Sequence, residues 1–203
     1  MRKNKNLNKR TEKEMDIVFL LDRSGSMKGI EADTIGGYNG YIDKQKENNV
    51  RVTTVLFDDR YEMLHDRTKI TGIKELTNKE YFVRGSTALL DAIGKTIKHL
   101  DSKVKDKVIF IITTDGMENA SREYSKEMIR ELIKGHSNWE FVYIGANIDS
   151  YSEGHSIGIK RQNIANYTQD AKGVSCMFEA VSRASKIYYT DECLDKSWKK
   201  ELE

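Results

Sequence analysis

The feature that most constrains this chain is an alternation of two patterns. Short runs that are apolar on both faces, Asp16–Leu21 and Lys107–Thr113 above all, alternate with longer stretches of helical period. A strand apolar on both faces needs helices covering it on two sides, which is the environment of a parallel sheet. The pattern therefore predicts an α/β fold, a doubly wound, Rossmann-like and mostly parallel sheet with helices on both faces. One departure from parallel is expected. Val50–Phe57 and Tyr61–Leu64 are separated only by a turn at Asp58-Asp59, so they must pair as a hairpin and supply one antiparallel edge strand. Further strands are expected at Trp139–Gly145 and, in short form, at Ile164.

Helical stripes are expected over Met27–Asn48, Thr87–Leu100 and Ala171–Tyr188, and over a segment capped by Ser121 that holds Tyr124, Met128, Ile129, Leu132 and Ile133. Gly36-Gly37 weakens the first helix but permits close packing on the sheet. The expected organisation is a basic, disordered N-terminal arm over 1–14, one domain over 15–190 and a charged tail over 191–203.

Composition narrows the function classes. No apolar run approaches the ~20 residues a membrane span requires. The arm carries Arg2, Lys3, Lys5, Lys9 and Arg10. No apolar stretch comes after it, as a signal peptide would demand, so a cytoplasmic location is expected. Cys176 and Cys193 are too few for a disulfide framework. Without the first ten residues, 29 basic residues face 32 acidic ones, a net charge of −3 with no bias toward nucleic acid. The absence of proline, with many Lys, Asn, Ile and Tyr, suggests an AT-rich bacterial or phage genome.

Chemistry in such sheets sits beyond the carboxyl ends of the strands. Two segments there end a buried strand with an aspartate: Asp22-Arg-Ser24-Gly-Ser26, and Thr113-Thr-Asp115-Gly116. Alternate residues of an extended segment point the same way, so Asp22, Ser24 and Ser26 can converge, with Gly25 allowing a sharp bend. One carboxylate and two hydroxyls make an all-oxygen shell for a hard cation, to which Asp115 can add a second charge. Each segment also has a plain structural alternative. Ser26 can cap the following helix with Asp22 at its positive end, and Asp115-Gly116 can be an ordinary turn.

Taken together, these residues resemble the von Willebrand factor type A domain with its metal-ion-dependent adhesion site. Asp22, Ser24 and Ser26 match that family's D-x-S-x-S, Arg84-Gly-Ser-Thr87-Ala-Leu89 matches its threonine loop, and Thr113-Thr-Asp115-Gly116 its later aspartate. The likeness spans about Met15 to Tyr189. Ala88 stands where many members have proline, which touches loop stiffness and not ligation. Gly145–Asp149 and the region after it look like the compact bacterial and phage versions of the domain. The resemblance implies Mg²⁺, with Mn²⁺ or Ca²⁺ as substitutes, held by Asp22, Ser24, Ser26, Thr87 and Asp115. It also implies a protein partner that presents Asp or Glu to the metal, met by a rim of Arg23, Ser86 and Met117. Nucleic acid is not expected as a partner.

Other signals are weaker. Asp22 to Asp33 has the span of an EF-hand loop but Met27 where glycine is required. Gly94-Lys-Thr96 resembles the end of a phosphate loop, but Leu89 replaces its first glycine and the stretch is helical. His65, His99, His136 and His155 form no catalytic or zinc spacing. The reading is a non-catalytic, metal-dependent interaction module. The alternative is a metal-assisted hydrolase or phosphotransfer enzyme using the same pocket, in which Asp22 would be the nucleophile. Ser24 stands where that chemistry needs a second carboxylate as acid/base.

Overall fold

The computed structural model describes residues 14–104, 107–191 and 193–202. The basic arm falls outside the described residues, apart from Glu14, which pairs with Arg51. The strands are β1 (Met15–Asp22), β2 (Val50–Phe57), β3 (Tyr61–Lys69), β4 (Lys107–Thr114), β5 (Trp139–Gly145) and β6 (Ile164–Asn166). The helices are α1 (Glu31–Gln45), α2 (Leu89–Leu100), α3 (Lys126–Gly135), α4 (Ser150–Ser156) and α5 (Ala171–Thr190). One six-stranded sheet has the order β3-β2-β1-β4-β5-β6. Every pair is parallel except β2–β3, the hairpin expected from its short turn.

Alternation along β1 divides the core. Ile17, Phe19 and Leu21 join the α1 and α5 side, while Val18 and Leu20 join the α2 and α3 side. All five are fully buried. Burial at roughly 1.5–3 kcal/mol per large apolar side chain makes β1 a firm central strand of the sheet. Strand order reverses between β1 and β4, so their carboxyl ends flank the crevice where open α/β sheets bind ligands.

Several expected boundaries move. The helix expected from Met27 starts at Glu31, after a 3₁₀ turn over Gly25–Met27. The helix expected from Thr87 starts at Leu89. Strand β3 runs five residues beyond Leu64, to Lys69. The cap of α3 is Ser125, whose hydroxyl accepts from the amide of Met128, and not Ser121. Close packing at Gly36-Gly37 is against a helix and not the sheet: a Cβ on Gly37 would lie 2.1 Å from the Phe178 ring of α5. The tail also packs. Leu194 and Trp198 are both fully buried, and the Trp198 indole donates to the carbonyl of Gln162.

Candidate metal site at the strand ends

Asp22, the last residue of β1, is fully buried. Its Oδ1 accepts from the Ser24 amide at 2.7 Å and its Oδ2 from the Thr114 hydroxyl at 2.5 Å. Tyr81, also buried, donates its hydroxyl to the Asp22 carbonyl at 2.6 Å. Burial pushes the Asp22 carboxyl up to about 6, against the pull of those donors toward the charged form.

From Asp22 the hydroxyls follow in sequence. Ser26 donates to Oδ1 of Asp115 at 2.6 Å. That uses its one proton, so Ser24, 3.0 Å away, is the donor to Ser26. Neither serine side chain caps a helix: the N-cap of α1 is Ile30, with no side-chain cap, which removes that alternative for Ser26. Thr87 completes the group. A Cβ built on Gly116 would sit 2.8 Å from the Thr87 hydroxyl, 3.1 Å from that of Ser26 and 3.6 Å from that of Ser24. Three hydroxyl oxygens thus gather beside Gly116, where any side chain would crowd them.

The donor set suits a hard divalent cation. The donors are all oxygen, two carboxylates border the hydroxyls, and no thiolate or imidazole is among them. Among the described residues no three His, Cys, Asp or Glu side chains gather as a metal site. Hydroxyls, not acid count, define the position.

Asp115 is held differently from Asp22. Its Oδ2 accepts from the side-chain amide of Gln169, which also donates to the Ser26 carbonyl at 2.6 Å. The Asn147 side chain in turn donates to Gln169. Burial raises the Asp115 carboxyl, and the Ser26 hydroxyl opposes it.

The loops carrying Thr87 and Asp115 are clasped together. Asn119 accepts from the Thr87 amide at 2.9 Å, and its own amide donates to the Thr87 carbonyl. Glu118 accepts from the Leu90 amide at the start of α2, and Asp91 of α2 accepts from the amides of Arg122, Glu123 and Tyr124. Ser121 belongs to this clasp, its hydroxyl bridging Glu118 and the Asp91 amide.

All five expected ligands come together. Of the expected rim, Ser86 and Met117 are exposed. Arg23 is not, and its place on the rim is corrected: it is fully buried and pairs with Asp58 at 2.9 Å, tying the Asp22 loop to the end of β2. Arg84 pairs with the same carboxylate. The sequence reading missed Asp58, Tyr81, Glu118, Asn119 and Gln169. Asp58-Asp59 carries a signal, but one that reads as a turn.

The family described as VWA domain containing CoxE-like protein matches residues 2–138. The chain belongs to the von Willebrand factor type A family. Solved structures agree on the fold of this vWA domain. Proximal thread matrix protein 1 from the mussel byssus superposes with a TM-score of 0.63 at 22% identity, over 84% of this chain and 45% of its own. Another structure of that mussel protein, with a zinc-occupied MIDAS motif, has a TM-score of 0.56 at 20% identity, with the same coverage. The vWF domain of the pili tip protein Mfa5 from Porphyromonas gingivalis superposes with a TM-score of 0.66 at 11% identity, over 88% of this chain and 97% of its own. The vWA chain thus spans less than half the length of the mussel protein. No curated protein sequence matches it. No helix among the described residues is long and apolar enough to cross a membrane.

Proposed function

We propose that this vWA domain is a non-catalytic, Mg²⁺-dependent protein-interaction module. Asp22, Ser24, Ser26, Thr87 and Asp115 hold the ion, and a partner protein supplies an Asp or Glu. The observation that carries the reading is the cradle of three hydroxyls beside Gly116 with two carboxylates at its border. Bound there, the cation supplies an electrophilic position for a carboxylate oxygen of the partner. Two aspartates at most balance its formal charge. Hydrogen bonds from Ser26 and Gln169 draw on both Asp115 oxygens, which weakens that carboxylate's donation and favours an outside carboxylate as a further ligand. Exposed Ser86 and Met117 provide the surrounding contact.

A hydrolase or phosphotransfer role is disfavoured because Ser24, in the position where that chemistry needs a second carboxylate, is committed as a hydroxyl donor to Ser26. Two unpaired thiols, Cys176 and Cys193, support a reducing, cytoplasmic compartment.

Calorimetry with Mg²⁺, Mn²⁺ and Zn²⁺ tests the metal, and zinc is a necessary arm because a structural neighbour holds it. Saturable Mg²⁺ or Mn²⁺ binding is expected. Tight Zn²⁺ binding with neither of the others overturns the choice of ion. A partner recovered equally with and without chelator would move the interaction to another surface.

A further inference from the structure

Strand β6 is the sheet edge opposite β3, paired only to β5. The 3₁₀ turn over Lys196–Lys199 folds onto it. Lys199 is 2% exposed and donates from Nζ to the Ile164 carbonyl at 2.8 Å and to the Tyr151 hydroxyl at 2.9 Å. This covers an edge carbonyl that would otherwise lack a strand partner. It also plants a cation at the floor of a cleft of about 430 Å³ lined by Tyr151, Lys160, Arg161, Gln162, Lys196 and Lys199.

Among the described residues the lining holds four cationic side chains and no carboxylate. Glu140, behind the cleft, pairs with Lys160 at 2.7 Å. Among the described residues neither Arg161 nor Lys196 makes an ion pair. The Arg161 guanidinium instead lies 4.9 Å from the centre of the Tyr151 ring. Beyond the first ten residues the chain has a net charge of −3, so composition does not account for such a gathering. Like charges crowded together repel, and a multiply charged anion relieves that cost.

We propose that this cleft is a binding site for a small phosphate-bearing ligand. Arg161 would be its bidentate contact and Lys196 its mobile point charge. A guanidinium resting on an aromatic ring is partly pre-oriented, and its planar fork of N–H donors matches phosphate oxygens. The volume is that of a small-molecule pocket. The site is separate from the strand-end cradle and does not rest on the metal reading.

The test titrates inorganic phosphate and pyrophosphate into the full chain by calorimetry, in chelator so that metal at the cradle plays no part. Saturable binding is expected, tighter for pyrophosphate and weakened by salt. Arg161→Ala and Lys196→Ala should each weaken it by about tenfold or more, the effect of losing a charged hydrogen bond. Arg161→Lys should recover only part of the loss, and Lys74→Ala, an exposed lysine elsewhere, should change nothing. All of these substitutions are at exposed positions, and an unchanged melting temperature of the free protein checks the fold. Absence of saturable binding at millimolar pyrophosphate overturns the proposal. So does undiminished binding by both alanine variants, and so does citrate binding as tightly as pyrophosphate.

Discussion

Asp22 and Asp115 end neighbouring strands and border the same cradle, yet they are held in contrasting ways. Asp22 lies within the sheet's own fabric, its oxygens met by a backbone amide and by Thr114 of the next strand. Asp115 lies one residue beyond β4, its oxygens met by two loop side chains, Ser26 and Gln169. The first geometry is set by strand register and cannot shift without moving β1 or β4. The second is set by rotamers and can. In the proposed site Asp22 would anchor the ion, and Asp115 would be an adjustable arm whose restraint keeps the ion electrophilic.

The sharpest way to break that comparison is to neutralise each aspartate in turn. Asp22→Asn should lower Mg²⁺ affinity by more than the ~10–100-fold typical of losing an outer-shell partner. Asp115→Asn should lower it by less, as calorimetry reads directly. Equal losses would mean both are anchors. Gly116→Ala tests the space between them. Its methyl would crowd the Thr87, Ser26 and Ser24 hydroxyls. About 1–3 kcal/mol of Mg²⁺ binding energy should be lost, with overpacking as the cause.

Acidity separates the two next. A carboxyl raised to about 6 when folded, against ~3.9 unfolded, takes up a proton on folding between those values. Its contribution is fully present below about pH 4 and lost as pH rises through 6. In the metal-free protein, Asp22→Asn should therefore be more stable than wild type at pH 8, by up to about 3 kcal/mol. The two should converge toward pH 4 in denaturant titrations. The amide suits the site, since Thr114 can accept from it and donate to the Gly116 carbonyl 3.1 Å away. A wild type more stable than the variant at pH 8 would show that the donors around Asp22 outweigh its burial. The smallest effect is expected at Gln169. Gln169→Ala frees one Asp115 oxygen and should raise Mg²⁺ affinity by about 0.5–1.5 kcal/mol. A fall would make Gln169 a support for the arm and not a restraint.

The parts legible in sequence are those whose information is local. Strands β1, β4 and β5 show themselves because both faces are buried, and the five proposed ligands because their spacing is a motif. Strand β3 is read short because its outer half, His65–Lys69, is polar and partly exposed at an edge. Helix α4 is invisible in Ser150–Ser156, a serine- and glycine-containing stretch that relies on its Asp149 cap. Leu194 and Trp198 are lone apolar residues among charges, and their burial depends on Gln162 and Arg183, far away in the chain. Arg23 fails for the same reason. It reads as a loop cation beside a metal site, and its partner Asp58 is 35 residues distant.

The reciprocal clasp of Asp91 and Glu118 has a consequence for time as well as for shape. Each carboxylate holds backbone amides on the other's segment, so neither loop can swing out alone. The amides of Leu90, Arg122, Glu123 and Tyr124 should behave as one cooperative opening unit, exchanging their hydrogens for deuterium at a shared opening free energy. Thr87 would then enter and leave its working position only together with Asp115. A partner that meets one meets both.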